Sequence, residues 1–210
     1  ISSAQISHLS TGAIGALTTA QAKALTTAAI NALTSAQIAA IETADLAAMS
    51  STQLSNMGNT QVAQLTSLQV AALTTGQLKS LSSGQVAALT SAQLNALTSA
   101  QLPSLSSSQV RALTTDQLSK LTTTQVAGLS TAQVAALSTG QVAALTSVQL
   151  NAMASDDLKA LTTTQVRALT SDQLSKLSSD QVALMATDDI AAISSAQISH
   201  LSTGAIGALT

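Results

Sequence analysis

Cysteine, phenylalanine, tyrosine and tryptophan are all absent from the 210 residues, and proline occurs once. The absence of cysteine rules out disulfides and thiolate metal sites, though it leaves the redox compartment open. Only 8% of the residues are charged and the net charge is −2. A nucleic-acid or anionic-membrane surface would need far more basic charge. No apolar run approaches the roughly 18 residues that a membrane-spanning helix requires. Ile1 is preceded by neither an initiator Met nor a signal peptide, so the chain reads as a cut into a longer protein.

What is present is one octapeptide, repeated. The chain is 26 octads end to end from Ile1 to Ala208, and Leu209-Thr210 begin another. Leu137-Ser138-Thr139-Gly140-Gln141-Val142-Ala143-Ala144 is a typical copy. Position 1 is Leu, Ile or Met in all 26 octads, position 2 is Ser or Thr in 22, position 5 is Gln in 20, and position 6 is aliphatic in 25, with Ala22 the exception.

A Ser or Thr followed three residues later by Gln is a capping box. The hydroxyl accepts from the backbone N–H three residues on, and the Gln side chain reaches back to the N–H of the cap. With the cap at position 2, positions 1 and 6 become the two partners of a hydrophobic staple. The charges sort in the same direction. All nine acids (Glu42, Asp45, Asp116, Asp156, Asp157, Asp172, Asp180, Asp188 and Asp189) lie at positions 2, 4 or 5. All seven bases (Lys23, Lys79, Arg111, Lys120, Lys159, Arg167 and Lys176) lie at positions 7 or 8. Acids stabilise a helix start and bases a helix end, so each octad is expected to be its own short helix. Three of the four octads without a Ser/Thr cap (at Glu42, Ala154 and Ala186) carry Asp at position 5, and the fourth has Gly58, a tolerable cap.

Other periods fit worse. Eight residues of a continuous helix would turn the apolar stripe by about 80° per repeat, and no fixed face would form. Coiled-coil periods of seven and eleven do not match. A β-solenoid is the alternative, since Thr and Val favour strands. It would place position 6 and the next position 1 on opposite faces, whereas a helix places them on one. The expected fold is an all-α solenoid of very short capped helices, one per octad, wound into a narrow superhelical rod of about three or four octads per coil. A helix this short is unstable alone, so neighbours must hold it, with positions 1 and 6 forming a thin core and Ala at position 8 allowing close approach.

Residues 1–210 form one repeat array with no linker or composition break. Residues 1–18 recur unchanged as 193–210, an offset of 192 residues or 24 octads. Residues 89–120 are echoed more loosely by 145–176. Pro103 stands at position 7, inside the expected helix, where it predicts a local distortion.

No residue recommends itself for catalysis, cofactor binding or metal binding. His8 and His200 are one residue seen twice, and no further His or Cys is there to share a metal. Asp156-Asp157 and Asp188-Asp189 lack the alternating ligand spacing of a calcium loop and read as helix-start charges. Met49, Met57, Met153 and Met185 replace Leu in the core. Gly12-x-x-Gly15 lacks the strand, third Gly and acidic partner of a dinucleotide site. The serines have no paired base to activate them. The threonine rows are accounted for by capping rather than by a flat ice-binding face. No cofactor, nucleic-acid partner, membrane insertion or small-molecule substrate is expected.

The run Leu-Thr-Thr-x-Gln-Val-x-Ala-Leu, at 121–129 and 161–169, resembles the octapeptide tracts of very large, repetitive bacterial surface or adhesin-like proteins. The resemblance covers the whole chain. It implies a secreted or cell-surface structural protein. Low charge, the lack of aromatics, redundancy and block duplication point to a fibre, sheath or surface filament, or a long spacer, that self-associates with like repeats; the alternative is the stalk or binding module of an adhesin that recognises a glycan or protein. The octad is also similar to the opening helix of the DNA-binding repeats of transcription-activator-like effectors. Their second helix and base-reading loop have no counterpart here, so DNA binding is not carried over.

Overall fold

In the computed structural model, residues 2–209 are described; Ile1, the first position-1 residue, and Thr210 lie outside them. The described residues form an all-α solenoid without strands: each octad carries one α-helix, except the thirteenth, which carries a 3-10 turn. The helices are four to six residues long and begin at position 3, so the cap is position 2 throughout. Two compact units, Ile1–Leu105 and Ser106–Thr210, divide the chain.

The capping box forms as the spacing requires. In the helix Ser83–Ala88, the Gln85 N–H donates to Ser82 Oγ at 3.1 Å and the Ser82 N–H donates to Gln85 Oε1 at 2.7 Å. Where position 5 is Ala (Ala13, Ala29, Ala205), only the hydroxyl half is made. At Gly58 only the return half is made, from the Gly58 N–H to Gln61 Oε1 at 3.0 Å.

Each helix ends without a left-handed residue. No described residue, glycine included, has positive φ. Instead the chain turns through two extended residues, the position-1 aliphatic and the following cap; Leu89 has φ −61° and ψ 140°, and Thr90 has φ −73° and ψ 158°. The cap therefore stops one helix as it starts the next, because its side chain rewards an extended backbone. That is why glycine, the common helix terminator, is not needed at the corners.

Positions 1 and 6 form the core in both units. Position 6 is almost wholly enclosed, as at Val70, Val86, Val142 and Val166, and position 1 nearly so. Ala22, the one small residue at position 6, is buried as well. Position 8 is half-buried or exposed rather than central. Within each unit a helix packs on the helix three octads away: Thr19–Lys23 on Thr43–Ala48 in the first, and Ser107–Ala112 on Thr131–Ala136 in the second. Hydrogen bonds between successive coils span 25 to 31 residues, so a coil holds between three and four octads.

Pro103 distorts its octad as expected. Leu102–Ser104 is a 3-10 turn, and the boundary between the two units follows directly after it. The damage stays local, because Gln101 still bonds the coil below. Pro103→Ala should restore a short α-helix and raise stability by about 1–2 kcal/mol, after allowing for the freer unfolded chain. Thermal unfolding followed by far-ultraviolet circular dichroism checks this; an unchanged midpoint would contradict it.

Candidate functional site

Within each unit the buried polar groups form a seam at one position of the octad. Apart from the core aliphatics, the residues hidden from solvent are position-5 residues: Gln37, Gln53, Gln69, Gln77, Gln85, Gln93, Gln141, Gln149, Gln165 and Gln173 among them. The capping box explains why a polar side chain stands there. It does not explain burial, since half of an amide is enough to close the box.

The other half of the amide reaches the neighbouring coil. Gln69 Nε2 donates to the Ile38 carbonyl at 2.8 Å and to the Ile41 carbonyl at 2.7 Å, 31 and 28 residues earlier. Gln77 does the same to Leu46 and Met49, and Gln173 to Val142 and Leu145. The acceptors are position 6 of one octad and position 1 of the next, the carbonyls at the corner where a helix ends. A helix leaves its last four carbonyls without internal partners, and in helices of five or six residues that is most of them. One glutamine thus caps the start of its own helix with Oε1 and the end of an earlier helix with Nε2. Among the described residues, no buried side-chain nitrogen or oxygen is left without a partner.

Asp replaces Gln on this seam at 45, 157 and 189. None of their caps, Glu42, Ala154 and Ala186, makes a side-chain cap bond. Asp45 accepts the Thr19 hydroxyl at 2.8 Å and Asp189 the Thr163 hydroxyl at 2.9 Å, each from 26 residues earlier. The carboxylate reverses the polarity of the seam: it takes a hydrogen bond from a position-3 threonine where glutamine gives one to backbone. Burial raises the Asp157 carboxyl above the usual carboxylate range; a hydrogen bond with the Ala154 backbone opposes the rise and the Asp156 charge adds to it. Asp157→Gln should supply the missing donor and stabilise the second unit by about 1 kcal/mol. A raised folded-state value penalises the native carboxylate at neutral pH. The gain should therefore be greatest there and shrink as pH falls through the carboxylate range. Unfolding midpoints of variant and parent across pH measure it, and a gain that grows in acid would refute it.

The remaining candidates are not brought together. His8 and His200 are exposed in their respective units. Of the Asp156-Asp157 pair, Asp156 is exposed and Asp157 buried, and Asp188-Asp189 divide in the same way. Among the described residues no three His, Asp or Glu groups gather to hold a metal. Met49, Met57 and Met153 are buried and Met185 is half-buried. Gly12 and Gly15 lie in the helix Thr11–Gly15, not after a strand. Lys120 pairs with Asp116 at 2.9 Å and Lys159 with Asp156 at 3.8 Å across exposed helix surfaces, contacts worth little. An open cleft of about 650 Å³ in the first unit is lined by Asn31, Leu33, Thr34, Ser35, Asn56, Gly58, Thr60 and Gln61.

The sequence reading missed the seam. One signal was available: a capping box accepts Glu as readily as Gln, yet no position 5 is Glu. Only the amide also has a donor.

A profile of the ALTTAQ repeat matches residues 8–40, 38–75, 71–99, 91–123, 99–131, 118–147 and 150–187. The chain belongs to the ALTTAQ repeat family. The motif stands letter for letter at Ala16-Leu17-Thr18-Thr19-Ala20-Gln21. In the structure its Leu is the extended corner residue, its first Thr the cap, and its Gln the seam position. The ALTTAQ hexapeptide is therefore the corner of the solenoid, the end of one helix and the start of the next. No curated protein matches the chain.

Proposed function

We propose that this ALTTAQ array is a structural element that forms or extends an extracellular fibre, sheath or surface filament, and that it is not an enzyme. The seam is the observation that carries the reading. The buried amides, Gln37, Gln69, Gln85, Gln141 and Gln173 among them, are committed at both ends to backbone, so the chemistry of the repeat is directed at its own continuation. Stability in such an array accumulates with repeat number, which suits a protein whose task is length. Among the described residues no helix is long and apolar enough to cross a membrane. Antibody against the array should label intact cells of the source organism, and electron micrographs should show the label on elongated surface structures. Label confined to permeabilised cells would overturn the reading.

A second reading, the stalk or binding module of a surface adhesin, is favoured by the cleft at Asn31, Asn56 and Gln61. Its lining is neutral and rich in hydrogen-bonding groups, the chemistry that suits a glycan. Binding on a glycan array that is lost in Asn56→Ala would support it; a blank array would remove it.

A further inference from the structure

The seam is not equally tight along the first unit. Gln53 Nε2 donates to the Leu25 carbonyl, and Gln69 Nε2 to the Ile41 carbonyl, at 2.7 Å each. Between them, Gln61 Nε2 makes the same corner bond, to the Leu33 carbonyl, at 3.3 Å. Its side chain is half-buried where Gln53 and Gln69 are enclosed. The cap of this octad is Gly58, so the corner has no side chain to fill it, and the cleft of about 650 Å³ opens there. Both walls belong to interior coils. Thr27–Asn31 packs on Ser3–Ile6 and on Ser51–Ser55, and Asn59–Ala63 packs on Ser83–Ala88. The opening is therefore a property of these octads themselves.

Two successive coils supply the lining, Asn31, Leu33 and Ser35 from one and Asn56, Thr60 and Gln61 from the next, and no lining residue is charged. Gln61 is committed to backbone through both ends of its amide. The two asparagines are not. Asn31 lends its backbone carbonyl to Gln61 Nε2 at 3.2 Å, and no bond among the described residues engages its side-chain amide. Asn56 Nδ2 donates to the Thr52 carbonyl at 2.8 Å, which leaves Oδ1 open to accept. The cleft thus offers an amide donor, an amide acceptor, the hydroxyls of Ser35 and Thr60, and the apolar edge of Leu33. Its volume lies in the range of small-ligand pockets, about 300–1,000 Å³. The chain has no aromatic ring, so the C–H face of a plain sugar finds nothing to stack on. Recognition must come from hydrogen bonds and one apolar contact. An acetamido group carries the matching set: a carbonyl, an N–H and a methyl.

From this we infer that the cleft binds an acetamido sugar, an N-acetylhexosamine or a short chain of them. Asn31 Nδ2 donates to the acetamide carbonyl, Asn56 Oδ1 accepts from the acetamide N–H, and the methyl rests on Leu33. The Ser35 and Thr60 hydroxyls serve the hydroxyls of the ring. A sugar held in this way bridges two coils and clamps the seam at Gln61. The assignment rests on the adhesin reading above and narrows its glycan to one class.

The test is calorimetric titration of the 210-residue chain with two tetrasaccharides of the same linkage, one of N-acetylglucosamine and one of glucose, which differ only in the acetamido group. The acetylated sugar should bind, and the glucose sugar at least about tenfold more weakly, for want of the amide pairing. Asn31→Ala should weaken binding of the acetylated sugar about tenfold. Asn95→Ala, at the same octad position and exposed outside the cleft, should bind like the parent. Gly58→Ser has room for its side chain, since an added Cβ meets Gln61 Oε1 and Thr60 Oγ1 at 3.8 Å. Its hydroxyl completes the capping box while the side chain enters the cleft. The unfolding midpoint should therefore rise as binding falls, a combination that misfolding does not produce. Equal binding of the two tetrasaccharides, or a preference for glucose, overturns the acetamide assignment and leaves the glycan reading standing. Binding of neither overturns the inference, and the glycan array then decides the adhesin reading by itself. Binding that survives Asn31→Ala undiminished puts the sugar elsewhere and overturns it as well.

Discussion

Gln85→Glu should lower the stability of the first unit by about 2–4 kcal/mol at neutral pH and recover most of the loss in acid. The substitution is close to isosteric and looks harmless from the octad alone. Glutamate satisfies a capping box, and a negative charge at a helix start is favourable by about 0.3–1 kcal/mol. The seam reverses this. Gln85 is buried, and its Nε2 donates to the carbonyls of Leu54, Ser55 and Met57 at 3.0, 3.3 and 2.7 Å. A carboxylate there faces carbonyl oxygens with no proton to give, and an uncompensated buried charge costs about 3–5 kcal/mol. Burial and the facing carbonyls raise the pKa of the new carboxyl. The native state is then penalised above the carboxylate range and relieved as pH falls through it, when the proton restores a donor. Gln85→Ala should cost about 1–3 kcal/mol for the orphaned carbonyls and show no such pH dependence relative to the parent. Urea unfolding of the three chains at neutral and acidic pH separates these outcomes. A glutamate variant as stable as the parent at neutral pH would show that the seam amide contributes only through its oxygen.

Removing Ser80 alone should do more harm than removing its whole octad, Leu73–Ser80. Among the glutamine contacts that straddle Ser80 are those of Gln85 to Leu54 and Met57, Gln93 to Val62 and Leu65, and Gln101 to Ala71 and Leu73. Loss of one residue turns everything beyond it by about 100° and shortens each of these separations by one. Each broken contact leaves buried carbonyls unpaired, at about 1–3 kcal/mol. The total should exceed about 3 kcal/mol. Deleting the octad breaks the same contacts and rebuilds them. Gln85 then follows Leu46 and Met49 by 31 and 28 residues, the spacing at which Gln77 bonds them in the intact chain. The eight-residue deletion should cost no more than one repeat's share of stability. Unfolding midpoints decide the matter, and equal losses in the two variants would mean that the seam register does not organise the coils.

The local structure was legible in the sequence because capping is a short-range affair. Ser82 and Gln85 are three residues apart, and hydrogen-bond geometry alone places the helix start between them. The staple of positions 1 and 6 followed from the same register, and the core is where it predicted. Pro103 was legible too, since its effect is confined to its own turn. The second half of each glutamine was not. Gln69 meets Ile38 and Ile41 only after the chain has gone once around, and the angle of each corner sets how far around that is. No octad states that angle. The exchange of Gln for Asp was half-legible: Asp45 could be read as a helix-start charge, but its bond to Thr19 depends on the same unseen geometry.

The corners carry one more consequence. Every backbone bend among the described residues uses conformations open to any L-amino acid, and the buried side chains come from positions 1, 5 and 6. Positions 3, 4 and 7 are therefore open to change except where coils touch: Thr19 and Thr163 bond the seam aspartates, and an added Cβ would crowd Ser179 at Gly204 and the Ala40 carbonyl at Gly15. A lineage carrying this array can repaint its exterior, in charge, polarity or attachment points for sugars, while the internal winding stays the same.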